Sequence, residues 1–505
     1  MLKKILKIFA KVFCVSLLFL ANTVLFAAIW YICVYGNVGF DSILHTLFGN
    51  IGGAEKGIII SYIFKSLIPA ILFSALISVV LFYKGKRKII FNFKKKGKSY
   101  TLYPFKGWVS GIISVFLSVT MILVSAGKVG FFEWLSYSTE KTTLYDENYI
   151  FPESTKITFP ENKKNLIYII LESMETTFLS EDSGGAMNDN LIPELYSLAK
   201  ENVSFSNNSE IGGWESTSRT SWTIASIVAQ TSGMVLTSNE AVYDTKTGII
   251  PRAQTLMDIL NANGYEQGFM VGSIGSFANR DLYYKSHGCS NVYDLSSAKE
   301  DNVVPDDYYA WWGMEDKYLY SYAKSKITKM ADGEKPFAFT MLTVDTHHVG
   351  GYLCSECKNK YDEQYSNVIA CASKQLKEFV DWIKAQDFYK DTAIVITGDH
   401  KSMDSEYFKR NVSSDFDRRT YNCFINAFAE SQNTKNRSFT PMDMFPTVLA
   451  AIGCKIEGER LALGTNLFSG QKTLSELYGQ NYLNNELLKD SVFYKVNFLQ
   501  KKFGE

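Results

Sequence analysis

Residues 392–400 read TAIVITGDH. Thr392 to Thr397 form one β-branched and apolar run, the pattern of a strand buried on both faces. The run stops at Gly398, and a carboxylate and an imidazole follow at once, Asp399 and His400. Gly-Asp is ordinary turn chemistry. In an open parallel sheet, however, sites form outside the carboxyl ends of the strands. The same form recurs elsewhere: "NLIYIILES" (165–173) closes on Glu172, and "PFAFTMLTVDTHH" (336–348) closes on His347 and His348. Helical patterns lie between. Residues 192–207 read as helix then strand, 253–272 as helix, glycine turn and strand, and 373–386 as an amphipathic helix. Strands alternating with helices specify an α/β domain with a mostly parallel central sheet flanked by helices.

Outward from this body the charge is uneven. The 505 residues carry 52 basic and 52 acidic side chains, a formal net charge of zero. Residues 1–127 hold 15 Lys or Arg against Asp41 and Glu55, a net +13, so the remainder holds −13. Three stretches there are apolar over the roughly 20 residues that a bilayer requires: 12–35, 57–83 and 107–127. The loop "KGKRKIIFNFKKKGK" (84–98) has eight basic residues and no acid, and Lys3, Lys4, Lys7 and Lys11 precede the first span. Both basic flanks mark the cytoplasmic side, which leaves 36–57 and everything after 127 outside. The positive charge is therefore a topology signal and not a nucleic-acid surface. The long first run with two spans after it reads as an uncleaved anchor. The spans hold almost no charged side chain, which argues against a transport path.

The expected organisation is a transmembrane domain of three helices (1–127), a connector (128–163), a catalytic domain (164–470) and a tail (471–505) that packs on it or stays flexible. Of eight cysteines, Cys14 and Cys33 lie in the first span and six lie in the body. Cys354-x-x-Cys357 has zinc or redox spacing, but no second pair or histidine cluster accompanies it. A local structural disulfide of Cys371 with Cys354 or Cys357 is the expectation, with connectivity open.

Glu172, Asp399 and His400 form a hard-to-borderline ligand set at the strand ends, suited to manganese, magnesium or zinc. A divalent cation beside a hydroxyl makes a nucleophile. "STSRTSWTIASIVAQTSG" (216–233) supplies candidates, Thr220 just before a helix that begins near Trp222, and Thr223 at its start. Either is also an ordinary N-cap.

The ordered set "LIYIILES", "SRTSWTIASIVAQTSG", "SFANRDLYYKSHG", "LTVDTHH" and "VITGDHKSM" resembles the sulfatase-like phosphoglycerol transferases of the alkaline phosphatase superfamily, over about residues 140–470. Three spans are more similar to the periplasmic-glucan type than to the five-span lipoteichoic acid synthase type. The resemblance implies a sulfatase-like catalytic domain in a bacterial cytoplasmic membrane, with its site outside. It implies one divalent ion, manganese first, held by Glu172, Asp399, His400 and the nucleophile. Aligning the helix puts Thr220 on the catalytic threonine in preference to Thr223. Arg280 and His347 match substrate-side residues, and Arg219 and Arg280 would help capture the anionic head group. The donor implied is phosphatidylglycerol, and the acceptor a glycan or glycolipid at the bilayer. Ala278 stands where the synthase has Trp, which leaves a phosphoethanolamine transferase as the nearest alternative. A sulfatase normally builds its nucleophile from Cys or Ser, and a threonine opposes that. From another class, the alternative is a membrane-anchored binding protein that keeps the fold without catalysis.

Overall fold

The computed structural model describes residues 2–36, 39–48, 56–83, 85, 88–93, 98–237 and 248–499. Of the basic loop at 84–98, residues 84, 86–87 and 94–97 lie outside them. The chain divides into two units, Met1–Phe40 with Glu55–Trp134, and Asp41–Ala54 with Leu135–Glu505.

The first unit contains three helices long and apolar enough to cross a membrane, Lys4–Tyr35, Gly57–Phe82 and Gly107–Lys128. Their packed faces are rich in small residues. Ser110, Ser114, Ser118 and Ser125 are buried along the third, and Cys14, Leu18, Ala21 and Ala28 along the first. Small side chains let helix backbones approach where lipid supplies no hydrophobic drive between helices. The second helix passes through one π turn at Ile63–Leu67, which contains Lys65.

The second unit is built on a six-stranded sheet. Its strands are β1 (Asn165–Leu171), β2 (Glu266–Val271), β3 (Asn291–Tyr293), β4 (Phe337–Leu342), β5 (Thr392–Gly398) and β6 (Asn422–Ile425), in the order β3-β2-β4-β1-β5-β6. All neighbours are parallel except β5 and β6. The period of two divides the core between the faces of the sheet. Leu166, Tyr168, Ile170 and Val395 join one apolar cluster with the helix Thr223–Ser232. Ile167, Ile169, Leu171 and Ile396 join the other with the helices Pro193–Glu201, Asp316–Ala331 and Gln364–Lys384. Both faces are covered, so β1, β4 and β5 are buried almost throughout and show no polar alternation.

One expectation changes in detail: the strand read after helix Pro193–Glu201 reduces to a single bridge, Val203 to Phe424. Within the connector, Leu144, Tyr145 and Tyr149 are buried in the body. Of the two expectations for the tail, packing holds, with Leu474, Leu483, Leu487, Tyr494 and Phe498 buried in the same core.

Candidate metal centre and active site

β1 and β5 are neighbours with Leu171 opposite Gly398, so the residues that follow them emerge side by side. Gly398 is still paired in the strand; its importance is close approach. A Cβ there would lie 2.2 Å from Met174 O and 2.5 Å from Thr420 Cγ2. Just beyond β1, Ser173 takes φ 55°, a left-handed turn that L-residues resist. That turn points the Ser173 N–H at Asp399 Oδ1 (2.7 Å) and its hydroxyl at Glu172 Oε1 (2.8 Å). The His400 N–H also donates to Asp399 Oδ1 at 2.7 Å. One carboxylate oxygen is thereby fixed by two backbone donors, and the other, Oδ2, is buried without a hydrogen bond.

His400 completes the cluster. Its Nδ1 meets Lys401 O at 2.9 Å. A carbonyl can only accept, so Nδ1 carries the proton and Nε2 offers a lone pair. That Nε2 lies 3.2 Å from Asp399 Oδ2 and 3.7 Å from Glu172 Oε1. Glu172, Asp399 and His400 are all buried, and one ligand atom from each falls within 4.8 Å of the others. Burial, and then the facing Asp399 carboxylate, hold the Glu172 carboxyl well above the usual range. Two carboxylates and an imidazole lone pair converging on one buried point, with one oxygen unpartnered, are a donor set that fits a divalent cation. The backbone bonds to Asp399 and the Nδ1–H bond of His400 are the outer contacts that orient such ligands.

The hydroxyl beside this cluster belongs to Thr223. Its Oγ1 lies 3.4 Å from Glu172 Oε2 and 3.4 Å from His400 Nε2. Thr223 opens the helix Thr223–Ser232, and no side chain caps that end. Thr220 is not brought to the cluster. Its hydroxyl donates to Thr217 O at 2.8 Å and accepts from Thr217 N at 3.0 Å, so it closes a buried turn. Arg219, with φ of 65°, turns the chain just before Thr220, and the hydroxyl that reaches the cluster is that of Thr223. Arg219 is itself occupied. It donates to Leu487 O and Leu488 O at 3.0 Å each and pairs with Asp41 at 3.3 Å, anchoring the tail instead of facing a ligand.

Arg280 and His347 are joined through Trp312. The guanidinium lies 5.6 Å from the Trp312 ring and the imidazole 4.2 Å. Ala278 and Asn279 both adopt left-handed backbone (φ 54° and 58°) immediately before Arg280. Arg280 donates to Ser273 Oγ (2.7 Å), Phe277 O (3.0 Å) and Ile274 O (3.1 Å), which fixes its fork. Burial pulls its pKa down to about 10, and the charges of Glu172 and Asp399 work against that. His347 is pulled down to about 3, chiefly by burial, with the charge of Arg280 adding to the effect. It is therefore neutral, and its Nδ1–H donates to His348 O at 2.7 Å. His348 is buried and stacks on His347 at 4.5 Å.

Sequence reasoning missed Trp312 and Ser273. The pair Trp311–Trp312 was the available signal for the first, and nothing local marks the second. The His45 ring packs 5.4 Å from Trp222, the residue before Thr223.

The family model described as sulfatase matches residues 164–454, and the chain belongs to that family. The chain is 32% identical over 331 residues to phosphoglycerol transferase I of Salmonella choleraesuis, covering 64% of this chain and 41% of that protein. It thus spans less than half the length of this relative. Among solved structures it is similar to the integral membrane lipooligosaccharide phosphoethanolamine transferase A of Neisseria meningitidis. That match has a TM-score of 0.50 and 13% identity, over 88% of this chain and 84% of the other. It is also similar to the lipoteichoic acid synthase LtaP of Listeria monocytogenes, with a TM-score of 0.48 and 20% identity, over 63% and 79% of the two chains.

Proposed function

We propose that the protein is a membrane-anchored transferase. It moves a phosphoglycerol group from phosphatidylglycerol to a glycan or glycolipid outside the cytoplasm, through a covalent intermediate on Thr223. The observation that carries this reading is the meeting of the Thr223 hydroxyl with Glu172 and His400 at an uncapped helix start. The similarity to a phosphoglycerol transferase supports the head group. A divalent ion bound by Glu172, Asp399 and His400, manganese first, supplies Lewis acidity that acidifies the neighbouring hydroxyl and offsets phosphoryl charge.

In the first step the Thr223 oxygen attacks phosphorus. The bond to the diacylglycerol oxygen breaks, and diacylglycerol leaves with a proton. In the second step an acceptor hydroxyl attacks the same phosphorus, the threonine oxygen is released, and its proton is restored. The free N–H groups at the helix start favour the phosphoryl oxygens. Arg280, held rigid by three acceptors, supplies a charged fork for the head-group phosphate. Neutral His347, with its proton fixed on Nδ1, presents an Nε2 lone pair that can accept a hydrogen bond from the acceptor hydroxyl and orient it. Three spans hold the site near a lipid donor and raise its effective concentration.

The test is to incubate full-length protein in membranes with head-group-labelled phosphatidylglycerol or phosphatidylethanolamine, with and without chelator. The reading expects diacylglycerol release and label transfer from phosphatidylglycerol, abolished by the chelator. Transfer from phosphatidylethanolamine alone overturns the donor assignment, and turnover of neither lipid overturns the reading as a whole.

A further inference from the structure

The expected disulfide is not formed: Cys354, Cys357 and Cys371 are all free thiols. Cys354 Sγ lies 3.5 Å from Cys357 Sγ and 3.9 Å from Cys371 Sγ, and all three sulfurs fall within 4.8 Å of one another. A disulfide joins two sulfurs at about 2.05 Å and leaves a third with no place in the bond. Thiolates around zinc, at about 2.3 Å from the metal, stand about 3.8 Å apart along a tetrahedral edge. The observed separations bracket that edge.

Three further observations agree. First, Cys354 and Cys357 form a tight turn, with Cys357 N donating to Cys354 O at 3.1 Å. Second, Cys371 and Gln375 stand one turn apart on the helix Gln364–Lys384 and share a face. The Gln375 amide nitrogen lies 3.3 Å from Cys371 Sγ and 3.8 Å from Cys354 Sγ. Its oxygen is buried without a partner, and a half-turn of the amide directs that oxygen at the sulfurs. Third, a pocket of about 220 Å³ lined by Lys317, Tyr320, Cys371, Gln375 and Glu378 opens onto the cluster and supplies a way in.

We infer that Cys354, Cys357 and Cys371 form a second metal site for a thiophilic divalent cation of the zinc class, with Gln375 Oε1 as the fourth donor. Soft thiolates select such a cation over magnesium or manganese, so the two sites do not compete for the same metal. Cys354 and Cys357 lie on the loop that leaves β4 through His347, and Cys371 lies on a core helix. The metal therefore ties the histidine-bearing loop to the body. The inference stands apart from the proposed reaction.

The test is cobalt titration of the full-length protein in detergent, reduced and stripped of metal. A thiolate-to-cobalt charge-transfer band should saturate at one equivalent, be displaced by zinc, and persist in Asp399→Asn. It should be lost in Cys371→Ser and in Cys357→Ser, the latter a half-exposed loop position where folding is expected to survive. The inference is overturned by the absence of a band in the wild type, or by a band that survives both cysteine substitutions. Isolation without reductant of a Cys354 disulfide to Cys357 or Cys371 overturns it equally.

Discussion

Replacing Asp399 by asparagine separates the charge of the catalytic cluster from its shape. The amide oxygen keeps the bonds from Ser173 N and His400 N at 2.7 Å each. The new NH2 takes the place of the orphaned Oδ2, 3.2 Å from the lone pair of His400 Nε2. A donor then stands where three acceptors had met. In the wild type without metal, ligand atoms of Glu172 and Asp399 lie within 4.8 Å. Two unit charges at that distance repel by roughly 3 kcal/mol at an effective dielectric of about 20. Protonation of Glu172 relieves part of this, so Asp399→Asn should exceed the metal-free wild type in stability by about 1–3 kcal/mol. Bound metal reverses the order, since occupancy at 100-fold above Kd stabilises the wild type by about 2.7 kcal/mol and the variant by little. The assay is thermal unfolding of the detergent-solubilised protein, with chelator and with manganese, beside head-group transfer. Chelator should lower the wild-type midpoint and leave the variant unmoved above it, with the variant inactive. A variant that melts below the chelated wild type, or that keeps a wild-type response to manganese, refutes the metal-site reasoning.

Other outcomes follow from the same geometry. Thr223→Ala removes only two bonds of 3.4 Å, so stability should move by about 0.5 kcal/mol or less while transfer falls by roughly 10³-fold or more. Thr220→Ala breaks two close bonds to Thr217 and should cost about 1–3 kcal/mol of stability while activity per folded molecule is retained. Burial raises the Asp316 carboxyl to about 7 despite bonds from Val344 N and Asp345 N. A folded-state pKa above the unfolded value of about 3.9 means the native state binds the extra proton, so stability falls as pH rises from about 4 to 7. Asp316→Asn should flatten that part of the pH–stability curve measured by denaturant unfolding. Truncation before Leu474 removes five buried apolar side chains, each contributing about 1.5–3 kcal/mol. The loss matches the whole stability of a typical domain, and limited proteolysis should find no resistant core.

Most of the sheet was legible because a parallel strand covered on both faces reads as an unbroken apolar run, as in 165–171 and 392–398. The metal cluster was legible because adjacent strands deliver their terminal residues to one edge, so Glu172, Asp399 and His400 could be grouped without knowing the strand order. Which hydroxyl stands beside that cluster was not. Two threonines three residues apart in "RTSWT" differ only in which one the backbone turns outward, and that is decided by a left-handed arginine no propensity would place there. Trp312 and Ser273 escaped because they serve Arg280 and His347 across long loops, a relation without a sequence period. The cysteines misled through counting. A pair was expected, Cys371 with Cys354 or Cys357, whereas all three sulfurs meet.

The most direct test of the central claim is to locate the covalent intermediate. Full-length protein is incubated with phosphatidylglycerol and manganese without acceptor, quenched, digested and analysed by mass spectrometry. A phosphoglycerol adduct on Thr223, absent after chelation and absent in Thr223→Ala, is the predicted result. An adduct on Thr220, or head-group transfer that continues in Thr223→Ala, contradicts it.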